Sequence, residues 1–179
     1  RDKLLLVTFR TKAEGGKQAL SHPEYLAFLR LILDTDCADL LDIEFFSAGE
    51  RLPQWIATAH AAGVKVVCSS HDFQKTPPRA ELVERMLRMQ QAGADLPKLA
   101  VMPTCRTDVL ELLAATVEMA DHHPETPVIT MSMGALGAVS RLSGEAFGSA
   151  MTFANPGQAS APGQISLEVV NEVLDALHL

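Results

Sequence analysis

Two rhythms of apolar and polar positions alternate along this chain. Short, nearly unbroken apolar runs such as Leu4-Leu5-Leu6-Val7-Thr8-Phe9 recur at intervals. Runs of that kind suit strands covered on both faces. Between them lie segments with helical spacing. Ser21-His22-Pro23-Glu24 opens the first, with Ser21 as N-cap and proline in the first turn, and Tyr25, Phe28, Leu29 and Ile32 follow on one face. The pattern predicts strands over 4–9, 40–46, 64–69, 98–102, 128–132 and 150–154, with a seventh hidden near 158–163. It predicts helices over 50–62, 79–92, 108–121, 136–142 and 167–177, with Gly63 and Gly93 as stops.

Repeated strand–helix units imply an α/β fold with a parallel sheet. No Gly-x-Gly-x-x-Gly or P-loop sequence follows the first strand, which weakens a nucleotide-binding reading. Six or seven units are too many for a small doubly wound sheet and one or two short of a (β/α)8 TIM barrel. A single barrel domain over 1–179, lacking its first βα unit at the N-terminal side, fits this count. The chain has 179 residues, roughly 70 fewer than a typical barrel of about 250.

Composition narrows the function classes. Fifteen Lys and Arg against 22 Asp and Glu give a net charge of -7, so no general basic field invites nucleic acid or anionic lipid. No apolar run approaches the roughly 20 residues that cross a bilayer. Cys37, Cys68 and Cys105 are widely spaced and form neither a CxxC pair nor a zinc-type cluster with histidine. Free thiols in a reducing cytoplasm, and no metal, are the expectation.

Chemistry in a barrel belongs at the carboxyl ends of the strands. Arg10 and Glu14 follow the first strand, and His71 follows the third. Arg141 lies in the segment after 128–132, and Ser160 and Gln164 lie in the last loop. Lys98 stands in a run with no other charge, Pro97-Lys98-Leu99-Ala100-Val101-Met102-Pro103. If its face of the strand looks inward, desolvation lowers the ammonium pKa, and the amine can attack a carbonyl to form an imine. Otherwise, with Pro97 placing it near the strand start, it snorkels to solvent. His71 is either a proton carrier oriented by Glu14 or an ordinary loop hydrogen-bonder. Arg10 and Arg141 either clamp a carboxylate or form surface ion pairs. Asp42 and Glu44 share one face of the second strand and read either as catalytic carboxylates or, the favoured reading, as a buried structural network. Gly157, Ser160, Pro162 and Gly163 suit either a mobile lid or an ordinary connection.

Five stretches, in order, resemble type I 3-dehydroquinate dehydratase. They are Val7-Thr8-Phe9-Arg10-Thr11 with Glu14-Gly15-Gly16; Ser70-His71-Asp72-Phe73; the Lys98 run; Ile129-Thr130-Met131-Ser132-Met133-Gly134 continuing to Ser140-Arg141; and Ala159-Ser160-Ala161-Pro162-Gly163-Gln164. The resemblance implies a hydro-lyase that converts 3-dehydroquinate to 3-dehydroshikimate and water. It makes Lys98 the Schiff-base lysine, His71 the proton carrier and Glu14 its orienting acid. Arg141 then pairs with the substrate carboxylate, Arg10, Ser160 and Gln164 bind substrate oxygens, and Met131 and Phe153 wall the pocket. It further implies no cofactor, a place in the shikimate route, a cytoplasmic location and a homodimer. The family's first-strand acid and arginine have no counterpart before Leu4. Two other readings fit the same residues: a catalytically impaired barrel fragment, and an aldolase-like Schiff-base lyase. Open strand edges also predict self-association.

Overall fold

The computed structural model describes residues 3–157 and 161–177. Five strands, β1 (Leu6–Thr8), β2 (Leu40–Glu44), β3 (Lys65–Asp72), β4 (Leu96–Val101) and β5 (Ile129–Ser132), lie side by side in chain order. Every pairing is parallel. The helices are α1 (His22–Asp34), α2 (Phe45–Ala48), α3 (Leu52–Ala61), α4 (Arg79–Gln91), α5 (Arg106–His122), α6 (Ala138–Leu142) and α7 (Leu167–Leu177).

Strand parity sorts the side chains into two layers. Leu41, Ile43, Val66, Cys68, Leu99 and Val101 point to the helix side. There they pack with Leu29 of α1, Ile56 of α3, Met86 of α4 and Leu112 of α5 in one cluster. Leu40, Val67, Ala100, Ile129 and Met131 point the other way into a second, smaller cluster. Each fully buried leucine or isoleucine contributes roughly 1.5–3 kcal/mol of transfer free energy. On β2 and β3 the positions that continue the second face toward the carboxyl ends are polar, namely Asp42, Glu44, Ser69 and His71, and Lys98 shares that face on β4, two residues before Ala100. The same alternation that builds the core therefore delivers charged groups to one end of the sheet.

The opposite end is closed by Asp95, in the turn before β4. Its Oδ2 accepts the Val66 N–H (2.8 Å) and faces Nε2 of His60 (2.7 Å), while Oδ1 meets the Lys65 ammonium at 2.8 Å. These contacts hold Asp95 more acidic than usual: burial alone opposes ionisation, and the hydrogen bonds from Lys65, Val66 and His60 outweigh it.

Several predicted boundaries move. The second strand ends at Glu44 rather than at 46, because the Glu44 carboxylate accepts the Ser47 hydroxyl (2.5 Å) and turns the chain into α2. The helix expected over 50–62 is interrupted: a 3-10 turn, Gly49–Arg51, precedes α3. β3 runs on to Asp72, paired with Val101, so His71 is a strand residue and not a loop residue. β4 begins at Leu96, so Lys98 is its third residue, opposite Ser69 and Ile129. Lys98 is only 5% exposed, which removes the snorkelling alternative. Residues 150–154 form no strand. One bond from the Ala150 N–H to the Val128 carbonyl (2.8 Å) leads out of the Val128–Ser149 bridge, after which the backbone leaves the sheet and carries Phe153 over Lys98. Of the seventh strand expected near 158–163, residues 158–160 lie outside the described residues, and 161–163 form a turn.

α1 is fixed to the site end of the sheet by one hydrogen bond. The Glu44 N–H donates to the Tyr25 hydroxyl at 2.7 Å, with Tyr25 1% exposed. Removing that oxygen leaves a buried backbone donor unpaired at the foot of the site. Tyr25→Phe is expected to destabilise the protein by about 1–3 kcal/mol, read as a lower midpoint in urea denaturation with an unchanged slope.

Candidate active site

A cavity of about 280 Å³ opens at the carboxyl ends of the strands, lined by Arg10, Glu14, His71, Lys98, Met131, Arg141, Phe153 and Gln164 among others. One wall is a buried charge cluster. Asp42 and Glu44 sit two residues apart on β2, both fully buried. Glu44 is saturated by its surroundings. Its Oε1 accepts the Thr11 N–H (2.8 Å) and Arg10 Nη1 (2.9 Å), and its Oε2 accepts the hydroxyls of Thr11 (2.7 Å) and Ser47. It clasps the segment after β1 to the start of α2. Asp42 lies one pleat deeper. Its Oδ2 is shared by Arg10 Nη2 (2.7 Å) and Lys98 Nζ (3.1 Å), and its Oδ1 accepts the Ser69 hydroxyl (2.5 Å).

Lys98 is thus held between Asp42 below and the Phe153 ring, whose centroid lies 4.4 Å from Nζ. Burial pulls its pKa below the usual lysine value; Asp42 opposes that shift and Arg10 adds to it. Burial also resists ionisation of Asp42, but Lys98 and Arg10 outweigh it and keep its pKa low.

His71 and Glu14 form the second reactive pair. Glu14 Oε2 accepts the His71 backbone N–H (3.1 Å) and lies 2.8 Å from Nδ1. An oxygen already accepting one N–H is best matched by Nδ1–H, which leaves Nε2 as the acceptor nitrogen of the ring. Burial, assisted by Arg10 and Lys98, pushes the His71 pKa down to about 2, so the ring is neutral around pH 7. Burial, with Glu44 close by, raises Glu14 to about 8 against the pull of Arg10. Glu14 Oε1 is buried without a partner among the described residues. The turn that delivers Glu14 is a 3-10 segment, Lys12–Glu14, closed by two glycines. Gly15 has φ +91° with the Phe73 ring 2.3 Å from where a Cβ would stand, and at Gly16 a Cβ would lie 1.8 Å from the Arg10 carbonyl oxygen. Both positions exclude any side chain.

Arg141, in the last turn of α6, differs from Arg10. It is 2% exposed, yet no carboxylate pairs with it among the described residues. Its polar neighbours are the carbonyls of Pro162 (3.3 Å) and Phe153 (3.5 Å) and the Met131 sulfur (3.5 Å), and Nε has no partner. Burial lowers its pKa from the ordinary arginine value. A buried guanidinium so poorly matched has hydrogen-bonding capacity to spare. Gln164 lines the same cavity, with Oε1 accepting the Ala161 N–H at 3.3 Å. Ser160 lies outside the described residues.

Lys98, His71, Glu14, Arg10, Arg141, Met131, Phe153 and Gln164 are therefore brought to one cavity. Asp42, which the sequence favours as structural, and Ser69, Phe73, Thr8 and Met133, which the sequence does not single out, all touch the site or its charge cluster. Parity on β3 places Ser69 beside Asp42, and Phe73 lies within the Ser70-His71-Asp72-Phe73 stretch, so both signals were present. Among the described residues no group of three or more His, Cys, Asp or Glu side chains is arranged to hold a metal ion, and no helix is long and apolar enough to cross a membrane.

The Glu14 shift has a thermodynamic consequence. Its folded pKa, about 8, lies above the unfolded value near 4.5, so between the two the native state binds more protons than the unfolded chain. Stability from this group is then lost as pH rises through that window. Relative to Glu14→Gln, the wild-type protein is expected to lose stability steadily from about pH 5 to about pH 8, measured as the pH-dependent difference in urea midpoints. A constant difference would contradict the shift.

The family model described as type I 3-dehydroquinase matches residues 2–179. The 3-dehydroquinate dehydratase of Salmonella agona strain SL483 is 49% identical over 177 residues, covering 99% of this chain and 70% of that protein. Two solved structures are similar throughout. The type I 3-dehydroquinate dehydratase of Clostridium difficile, with covalently modified comenic acid, superposes with a TM-score of 0.93 at 48% identity, over 98% of this chain and 69% of that one. The enzyme of Enterococcus faecalis gives 0.90 at 44% identity, over 99% and 70%. The α/β fold with its five parallel strands is of the TIM-barrel type seen in these structures. With the match extending across nearly all of its residues, the chain belongs to the type I 3-dehydroquinase family.

Proposed function

We propose that this chain forms a single barrel domain over 1–179 that dehydrates 3-dehydroquinate to 3-dehydroshikimate through an imine on Lys98. The observation that carries the mechanism is a buried lysine and a glutamate-bound histidine lining one cavity with a buried arginine that no carboxylate pairs with among the described residues.

Arg141 receives the substrate carboxylate, relieving its own lack of a partner. Arg10, Gln164 and Ser160 bind substrate oxygens, and Met131 and Phe153 exclude water from the reacting face. The Lys98 amine adds to the ring ketone, and water departs as the imine forms. The cationic C=N withdraws electrons and acidifies the neighbouring C–H. His71 Nε2 takes that proton, the electron pair passes through the enamine, and the hydroxyl beyond leaves with a proton returned by His71. Hydrolysis of the conjugated imine consumes one water and frees Lys98. Of two waters released and one consumed, one remains, as the dehydration requires. Glu14 keeps Nδ1 occupied so that Nε2 does the proton work.

The place of this step in aromatic biosynthesis supports a cytoplasmic setting. The open edges of the five-stranded sheet support association with a second copy.

Borohydride added with 3-dehydroquinate is expected to fix a substrate-derived mass on the tryptic peptide containing Lys98, and Lys98→Ala is expected to abolish it. An unlabelled Lys98 in the wild type would count against the whole mechanism. His71→Ala is expected to lower turnover by about 10²- to 10⁴-fold while borohydride still traps the imine. Arg141→Lys keeps the charge but loses the planar fork, and is expected to raise KM by about tenfold or more; the check is initial rates followed by the ultraviolet absorbance of the conjugated product.

A further inference from the structure

Asp42 presents a paradox for a lysine that must become a nucleophile. A carboxylate 3.1 Å from Nζ stabilises the ammonium, which is the form that cannot attack. Yet the site invests heavily in keeping Asp42 anionic and still. The same Oδ2 also accepts Arg10 Nη2 at 2.7 Å, and Ser69 donates to Oδ1 at 2.5 Å. Asp42 itself is completely buried. Its carboxylate has no freedom to follow a moving partner, and no room to take a proton without giving up one of three donors.

The paradox disappears when the hydrogens on nitrogen are counted through imine formation. An ammonium carries three hydrogens and one positive charge. Condensation with a ketone sends two of those hydrogens out in water with the carbonyl oxygen. One hydrogen and the positive charge remain on the C=N nitrogen, so atoms and charge balance with no outside acid. That single N–H has one fixed acceptor beside it. We propose, resting on the imine mechanism above, that Asp42 is the counter-ion of the Lys98 imine: its Oδ2 holds the remaining N–H and keeps the imine cationic while His71 moves protons.

The surrounding charges fit this assignment. Glu44, on the same strand, is saturated by Thr11, Ser47 and Arg10 and is turned away from the nitrogen. Glu14 is committed to His71. Arg10 bridges Asp42 and Glu44, and its charge helps to keep Asp42 ionised. His71 is neutral around pH 7 and adds no charge. Of the three carboxylates, only Asp42 reaches Nζ. The Phe153 face, 4.4 Å away, stabilises the same cation from the other side without competing for its hydrogen. A neutral imine would be a weak electron sink, so loss of the counter-ion acts on the elimination more than on binding.

Asp42→Asn preserves shape and removes the charge. Borohydride is expected still to label Lys98 in this variant, while kcat falls by about tenfold to a hundredfold and KM changes far less. The alkaline limb of the kcat–pH profile is expected to move down by about one unit or more, because the imine loses its proton sooner. A merely structural role would lower the amount of folded enzyme without moving that limb. An Asn variant that is labelled and keeps the wild-type alkaline limb overturns the inference. A wild-type protein that is not labelled overturns the imine mechanism itself, a distinct result. Should the Asn variant fail to fold, the wild type decides: with ¹⁵N-lysine and the product imine at equilibrium, the nitrogen resonance is expected at the protonated-imine position from about pH 6 to about pH 9, and a neutral-imine resonance in that range overturns the assignment.

Discussion

Everything at the mouth of this sheet depends on pairing buried charge. Arg10, Glu14, Asp42, Glu44 and Lys98 lie in one cluster, Arg10 19% exposed at its edge and the others with almost no access to water. Desolvating a single ion costs several kcal/mol even after relaxation, so each member is tolerable only while the others are in place. Arg10 is the keystone, since its guanidinium meets all three carboxylates at once. The backbone must then bring the end of β1, the ends of β2 and β3 and the middle of β4 to within a few ångströms of one another. Parallel pairing in chain order does this, because it stacks the same-face residues of neighbouring strands in rows.

The remainder of the cavity is built on the opposite principle. Met131 and Phe153 supply apolar surface, and Arg141 stands in it with carbonyls and a sulfur as its polar neighbours among the described residues. One wall is a closed electrostatic circuit and the other is an open one. The two halves come from different parts of the chain, the charged wall from β1–β4 and the receptive wall from β5 onward.

Much of this was legible in the residues. The order of strands and helices follows from apolar runs and helical spacing, and the inward face of β4 follows from parity once Lys98 is placed within the strand. What parity could not supply was where strands end. Glu44 terminates β2 through a hydrogen bond to Ser47, and β3 continues through Ser70 and His71 because Arg85 and Glu14 satisfy them. The first is a local contact between residues three apart, while the other two join distant parts of the chain and leave no local signature. The same blindness assigned Asp42 and Glu44 one common role. On sequence they are equivalent neighbours on a face; in space one is a clasp and the other touches the reactive nitrogen. The segment 150–154 reads as a strand because it is apolar, but its apolar residue Phe153 is used as a lid over an ammonium rather than as sheet core.

Asp95 lies at the far end of the same strands, where it ties Val66, His60 and Lys65 together. Its contacts share no residue with the charge cluster, and a length of β3 and β4 separates the two. The molecule is thereby modular along the strand direction: one terminus of each strand is committed to holding the sheet, the other to handling substrate. Substitutions that reinforce the Asp95 clasp can raise thermal tolerance while leaving the chemistry untouched, and a drifting lineage can remodel its catalytic rim without renegotiating the foundation beneath it.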